Sequence, residues 1–185
     1  MKIISFRFKR LFCLSIAIFF IFLTFFSIRG EGINYDISAE IMPESRTVIG
    51  KETVRFTNKS EDSVEEVVFL LKGNLYREKN PYLSGVQIDQ IYPGGFDPGW
   101  TKIISVKGMN GSDLKYSFES LPPSLQTYSL NKTVLKVYFE DPLRAGEAVS
   151  IDLEFETKFP HKNSGDEEYY KGVFIWRFGW NPTLA

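Results

Sequence analysis

Residues that could carry out acid, base, nucleophilic or metal chemistry are scarce in this sequence. It contains one histidine, His161, and one cysteine, Cys13. A zinc site needs three or four ligands, most often histidine or cysteine, and the H-E-x-x-H motif is absent from the sequence. Cys13 lies in an apolar run, so it cannot pair with His161, which we interpret as a solvated loop residue. We predict that the chain has no catalytic residue and no metal or cofactor of its own.

Other motifs in the sequence do not indicate a catalytic or metal site. The carboxylates of residues 166–168 suit calcium, but they lack the spacing of a calcium-binding loop, so we interpret them as a solvated charge run. No serine stands in G-x-S-x-G, and there is no glycine-rich phosphate loop. Asn-x-Ser/Thr triplets at Asn58, Asn110 and Asn131 match the glycosylation acceptor pattern, and each lies where a loop or turn is expected.

Aromatic residues are the one excess, at 16% of the chain. Five of them could form a stacking platform for sugars or peptides, or could pack in the core; they are Trp100, Tyr169, Tyr170, Trp176 and Trp180. We favour packing for Trp176. The choice stays open for Trp100, which lies in a segment rich in proline and glycine.

Apolar residues crowd the end of the chain, from Val173 to Trp180. A strand buries only alternate side chains in its own core, so we predict that some of these residues are exposed for a partner domain. The alternative is a central strand that is packed on both faces. The predicted interaction surface consists of Trp100, Phe174, Trp176, Phe178 and Trp180.

The first thirty residues carry five basic side chains and no acidic one. Residues 11–28 form a run of 18 uncharged residues after four of those bases, which is typical of an export signal or a membrane span. We predict a signal peptide or transmembrane anchor at residues 1–30. The basic residues before the run predict that the domain faces outside, either membrane-anchored or secreted.

The remaining chain is acidic. Five of the 22 basic residues precede residue 31, which leaves 17 against 23 acidic residues. This balance argues against nucleic acid as a partner.

Beyond Gly32 the hydrophobic period is two, which predicts β-strands. Residues 35–41 predict a half-buried strand, and Gly50 in the next strand predicts a bulge or a close backbone approach. Asn110 and Gly111 predict a hairpin turn. We predict an all-β domain over residues 33–185, an antiparallel β-sandwich with an open, saddle-like shape. The expected strands lie near residues 35–41, 47–57, 65–71, 86–91, 102–106, 134–139, 149–155 and 173–176.

The order of these segments resembles the N-terminal β domain of the gluzincin aminopeptidases, the family of aminopeptidase N and leukotriene A hydrolase. The resemblance extends from Ile33 to Ala185. Its segments are residues 35–41, 50–60, 67–76, 134–147, 159–160 and 179–182. Asn181 departs from the family, which usually has an aromatic residue there. Arg177 and Phe178 lie where some members hold the substrate amine with Gln or Glu, so no binding residue is carried over.

The resemblance implies a non-catalytic N-terminal domain of an exported zinc aminopeptidase-like metallopeptidase, truncated or split before its catalytic domain. In that family the zinc ligands, the general-base glutamate and the Gly-x-Met-Glu-Asn loop belong to the following domain. The implied partner is that catalytic domain, in the same protein or in a separate chain, and zinc is bound there. The alternatives are a stand-alone extracytoplasmic β-sandwich that binds sugars or proteins, and a domain of a larger envelope complex with no ligand.

Overall fold

The computed structural model describes residues 32–79, 84–92, 94–120, 132–161, 167–170, 172–176 and 179–185. Ile33–Ala185 forms one compact unit and Met1–Gly32 another. The signal or anchor predicted at residues 1–30 lies outside the described ranges. Among the described residues, no helix is both long and apolar enough to cross a membrane.

The described part of Ile33–Ala185 is built almost entirely from strands. Their bounds are β1 Asn34–Met42, β2 Thr47–Thr57, β3 Val64–Leu70, β4 Trp100–Gly108, β5 Lys115–Glu119, β6 Val134–Leu143, β7 Ala148–Lys158, β8 Glu167–Tyr170, β9 Val173–Trp176 and β10 Thr183–Leu184. A 3-10 helix at Lys72–Tyr76 and a helix at Gly85–Ile91, here α1, connect β3 to β4.

Two four-stranded sheets form the sandwich, and every strand pair is antiparallel. The first sheet has the order β1-β2-β7-β4 and the second the order β10-β3-β6-β5. Strands β8 and β9 form a separate hairpin. The predicted antiparallel β-sandwich is therefore confirmed.

The core lies between the sheets and contains fully buried side chains from both. Val54, Leu153 and Phe155 come from the first sheet, and Phe69 and Leu135 from the second. The alternation read from the sequence places these side chains inward because residues two apart in a strand share a face.

Gly50 illustrates how closely the core is packed. A Cβ atom at this position would lie 2.3 Å from Cζ of Phe155, whose ring rests against the β2 backbone. The register of β2 with β1 and β7 runs through Gly50 without a shift. Of the two predictions for Gly50, the close approach is confirmed and the bulge is wrong.

The strand predicted at residues 86–91 is wrong, because this segment forms α1. Ser84 and Gln87 make a reciprocal capping box: the Gln87 N–H donates to Ser84 Oγ at 3.3 Å, and the Ser84 N–H donates to Gln87 Oε1 at 3.0 Å. This satisfies backbone donors that a helix start leaves unpaired. The Ser-x-x-Gln spacing was the signal for a helix.

Strand β1 has the predicted alternation but not the predicted burial. Tyr35, Ile37, Ala39 and Ile41 lie on the inward side of the first sheet, beside the buried residues of β2, yet all nine residues of β1 are exposed. The prediction of a half-buried strand was wrong because alternation gives the face of a side chain, whereas burial depends on what covers that face. In strand β3 only Val67 and Phe69 are buried.

Candidate binding surfaces

The first candidate surface is the β1 face, which we define as Tyr35, Ile37, Ala39 and Ile41. The three larger side chains are 36%, 39% and 48% exposed. They are paired in register with Val54, Glu52 and Val48, all of which are buried. The face is thus a lateral continuation of the apolar core that the described residues leave uncovered.

Glu52 lies one strand inside this face and is only 2% exposed. Its Oε2 atom accepts a hydrogen bond of 2.9 Å from Nδ2 of Asn181. Its Oε1 atom is buried and has no hydrogen-bond partner among the described residues. A buried carboxylate with half of its acceptors unpaired is destabilising when it is ionised.

Burial raises the pKa of the Glu52 carboxyl to about 7, with the Asn181 hydrogen bond acting in the opposite direction. The side chain therefore changes charge near neutral pH, unlike an ordinary glutamate. Because the folded pKa is raised, this group favours the folded state at low pH, and that contribution is lost as the pH rises through about 7.

The end of the chain reaches the same edge of the sandwich. The backbone N–H of Leu184, in β10, donates to Tyr35 Oη at 2.9 Å. Strand β10 pairs with β3, and the Ala185 N–H donates to the Val68 carbonyl at 2.9 Å. The β1 face and Ala185 are therefore neighbours.

The second candidate surface is a cleft of about 460 Å³ at β4 and β5, the edge strands on the other side of the sandwich. We call it the Trp100 cleft and define it by Asn74, Arg77, Trp100, Lys102, Phe118 and Lys132. Phe118 is paired with the fully buried Leu135, yet it remains 37% exposed because its side chain faces the cleft. The cleft combines two aromatic rings with three cationic side chains.

Asn74 connects the two walls of the Trp100 cleft. Its Oδ1 accepts from the Thr101 N–H at 2.9 Å, and its Nδ2 donates to the Lys132 carbonyl at 2.6 Å. Asn74 is 1% exposed, so its amide oxygen and amide nitrogen are both buried, and each has a hydrogen-bond partner. The Asn74 side chain therefore holds the start of β4 in a fixed position relative to the backbone of Lys132.

Asp97 anchors the segment that leads into Trp100. It pairs with Arg46, accepts from Lys158 Nζ at 2.9 Å, and accepts from the His161 N–H at 2.9 Å. Although burial acts to raise it, the pKa of Asp97 is lowered to about 2 by these partners, Lys158 first. A chain segment that is too rich in proline and glycine for regular structure is thereby held in one place.

The structure describes the side chains of three of the five predicted aromatic interaction residues. Trp100 lies in the cleft, while Trp180 is half-buried with its ring 5.8 Å from that of Phe155. Phe174 is half-buried with its ring 5.2 Å from that of Phe159. Phe178 and the side chain of Trp176 lie outside the described part, so the prediction for the group stays a prediction. Val173 and Ile175 are 57% and 39% exposed.

Chemistry-bearing residues stay dispersed in the described part. His161 is exposed, and only its backbone N–H has an assigned hydrogen bond. No group of three His, Cys, Asp or Glu side chains that could hold a metal occurs among the described residues. Cys13 and residues 162–166 lie outside that part.

Asn58, the acceptor of the first glycosylation triplet, is buried. Its amide nitrogen donates to the Leu143 and Asp62 carbonyls, so the amide is already used in holding the loop.

The sequence interpretation missed Glu52 and Asn181. Val48, Val54 and Phe56 lie at even positions of β2 and therefore share a face, and Glu52 lies on that same face. An acidic residue on an apolar face was therefore the available signal for a buried carboxylate. Its partner Asn181 is 129 residues away, so no sequence pattern could pair them.

Comparison with known proteins reveals similarities of low identity. No protein-family profile matches the chain, and no curated protein matches it. Among solved structures, it is similar to an M1 zinc metallopeptidase from Deinococcus radiodurans, a mutant bound to a Tyr-Ser-Ala substrate, with 14% identity and a TM-score of 0.48. That similarity covers 82% of this chain and 29% of the peptidase chain.

Two carbohydrate-binding β-sandwiches are also similar to the chain. One is a family IIIa cellulose-binding domain from Clostridium cellulolyticum, with 15% identity, a TM-score of 0.32, and 83% and 92% of the two chains covered. The other is the CBM3a-L domain of a scaffoldin from Clostridium thermocellum, with 11% identity, a TM-score of 0.28, and coverage of 83% and 86%.

Proposed function

We propose that this chain is the non-catalytic N-terminal β-sandwich domain of an exported zinc aminopeptidase-like metallopeptidase, and that its β1 face binds the catalytic domain. The observation that carries the proposal is the exposure of that face. Tyr35, Ile37 and Ile41 form an apolar row beside the core, and each of the three side chains remains more than a third exposed.

An exposed edge strand with an apolar face is a liability for an isolated protein. Its free backbone edge and its side chains both favour association with another chain. A folded domain that covers the β1 face removes the exposed backbone edge and the exposed side chains from solvent. The burial of three large apolar side chains then stabilises the contact. The edge therefore fits a surface that another domain occupies.

Two features support the catalytic domain as the occupant. The sequence of residues 33–185 resembles the β domain that precedes the catalytic domain in the gluzincin aminopeptidases. In addition, β10 lies against Tyr35, so a polypeptide that continues from Ala185 starts beside the β1 face. In this proposal the catalytic domain holds the zinc, residues 1–30 direct export, and residues 11–28 anchor the protein in the membrane or are removed.

The decisive experiment begins with the coding sequence downstream of Ala185. We expect a frame that contains H-E-x-x-H. The chain is then co-expressed with the product of that frame, and complex formation is measured by affinity capture of one partner. The double substitution of Ile37 and Ile41 to aspartate should abolish capture, because it places two charges on a face that the complex buries.

Ile104→Asp is the matched control. Ile104 is 50% exposed and lies on β4, at the opposite edge of the first sheet, so its substitution should leave capture unchanged. Loss of capture by Ile104→Asp alone would move the interface away from β1. Absence of any H-E-x-x-H frame would overturn the metallopeptidase assignment, and dimerisation of the chain through β1 would replace the catalytic domain with a second copy.

A stand-alone extracytoplasmic binding module is the second candidate function. The Trp100 cleft favours it, since a cleft with aromatic rings and a few polar groups is typical of a small-ligand site. This candidate predicts ligand binding by the chain without any partner domain. It predicts no dependence of that binding on Ile37 or Ile41.

A further inference from the structure

We propose that the Trp100 cleft binds a small acidic saccharide, a sugar ring that carries a carboxylate or a sulfate. The inference rests on the cleft alone and does not depend on the proposed metallopeptidase partner, whose surface is at the β1 edge. It narrows the sugar or peptide stacking considered for Trp100 to one class of ligand, an acidic saccharide, in one defined cleft.

The aromatic rings supply the sugar-facing part of the site. Trp100 is half-buried and Phe118 is 37% exposed, so both rings are fixed by the fold and still accessible. The flat C–H face of a sugar packs on such rings. Since the cations and part of each ring remain in water, the cleft suits a ligand with hydroxyl groups better than a wholly apolar one.

The charges of the cleft define the ligand as an anion. Arg77, Lys102 and Lys132 line it. Among the described residues no carboxylate lines it, and none of these three cations forms an ion pair. This occurs in a domain whose residues from 31 onward have a net negative charge. The positive charge of the cleft is therefore a local feature, since the domain as a whole has a net negative charge. A guanidinium group binds a carboxylate or sulfate through two parallel hydrogen bonds.

The site is held in position before any ligand arrives. Lys132 Nζ lies 5.6 Å from the centroid of the Phe118 ring, a distance typical of a cation–π contact. Asn74 ties the backbone of Lys132 to β4, and Asp97 fixes the segment before Trp100. Groups that are already ordered lose little conformational entropy on binding, which favours affinity for a small ligand.

Isothermal titration calorimetry of the full chain in detergent micelles tests the proposal. The probes are a disaccharide of glucuronate and N-acetylgalactosamine, its sulfated form, and neutral cellobiose. We expect one or both acidic disaccharides to bind with a dissociation constant below about 1 mM, and cellobiose to bind at least about tenfold more weakly. The two acidic probes distinguish a carboxylate from a sulfate as the recognised group.

Variants locate the binding site. Trp100→Ala should weaken binding by about tenfold or more, and Trp100→Phe should retain most of it, because a flat ring is kept. The double variant Arg77→Gln with Lys132→Gln changes two exposed side chains, so the fold is preserved, and it should weaken binding about tenfold. Lys59→Gln, an exposed cation in the loop after β2, is the matched control and should bind as the unchanged chain does.

The outcomes divide clearly. Binding of acidic probes that is lost in the Arg77 and Lys132 double variant but kept in Lys59→Gln supports the proposal. Equal affinity for cellobiose would overturn the requirement for an anion. No measurable heat from either acidic probe at about 10 mM, or binding that is insensitive to the cleft variants, would overturn the site itself.

Discussion

The β1 edge and the Trp100 cleft lie at opposite edges of the sandwich, and their chemistry differs. The β1 face has isoleucine and tyrosine side chains and no charge of its own, with a buried acid one strand away. The cleft combines two rings with three cations and a buried amide that ties its walls together.

This difference separates two kinds of recognition. An apolar row along one strand can be satisfied only by another apolar surface, which points to a folded protein domain. Rings and cations around a concave space can be satisfied by one small amphipathic anion. The same sandwich can therefore present a protein-binding edge and a ligand-binding edge, and substitutions at each should have separable effects.

The largest expected effect tests how rigidly the fold supports each edge. Gly50→Ala places a Cβ atom 2.3 Å from the fully buried Phe155 ring, while Gly73→Ala places one 2.4 Å from the Thr101 hydroxyl beside the cleft. We expect Gly50→Ala to lower the free energy of unfolding by about 3 kcal/mol. Gly73→Ala should lower it by less, because a change of the Thr101 χ1 angle can move the hydroxyl oxygen, whereas the Phe155 ring is fully buried. Urea unfolding measures both.

Gly85→Ala is the control for these two substitutions. No atom lies within 4 Å of the added Cβ there, so stability should be unchanged or slightly higher. If Gly50→Ala were as stable as Gly85→Ala, the close packing behind the β1 edge would be disproved.

The second prediction concerns the acid behind the β1 edge. The raised pKa of Glu52 means that the unfolded state releases a proton that the folded state retains, so stability should fall as the pH rises. Between about pH 5 and about pH 8 we expect a loss of roughly 2–3 kcal/mol. Glu52→Gln should remove most of this dependence, since its amide stays neutral. Urea unfolding at several pH values provides the measurement, and an unchanged slope in the variant would contradict it.

Asp97, near the cleft, should show the opposite sign. Its pKa is lowered to about 2, so its stabilising contribution is present above the ordinary aspartate pKa and is lost as the pH falls towards 2. Asp97→Asn should cost about 1–2 kcal/mol at neutral pH, because Arg46 and Lys158 lose their shared partner. Thermal melting at pH 7 and at about pH 2 compares the two forms. Convergence of their midpoints at acid pH is expected, and a constant gap would refute the assignment.

The smallest expected effect is on the β1 face itself. Ile37→Lys should change the free energy of unfolding by less than about 0.5 kcal/mol, because the side chain is already exposed. Leu153→Ala, in the core of the same sheet, should cost about 2–5 kcal/mol and serves as the reference. A cost for Ile37→Lys that approached the Leu153→Ala value would show that the face is covered within the chain, and the docking proposal would lose its basis.

Much of the fold follows from local patterns. The period of two places Val48, Val54, Ile151, Leu153 and Phe155 in the core, and the structure buries all five. Asn110 and Gly111 give the turn after β4, where Gly111 has a φ of 79°. Among the elements, the errors were α1, where a capping signal at Ser84 and Gln87 outweighed a short apolar alternation, and the strands β5, β8 and β10, which were not predicted.

The candidate sites depend on contacts that no local pattern contains. Alternation assigns Ile37 to the inward face, but its exposure depends on β1 being an edge strand opposite the two-residue β10. Asp97 gathers Arg46, Lys158 and His161 from distant parts of the chain, and Asn74 links Thr101 in β4 to Lys132, two residues before β6. Which side chains share a face can be read from the sequence, because strand geometry sets it within a few residues. Which faces are covered and which distant groups meet cannot be read from it, because both depend on the order of strands across the two sheets.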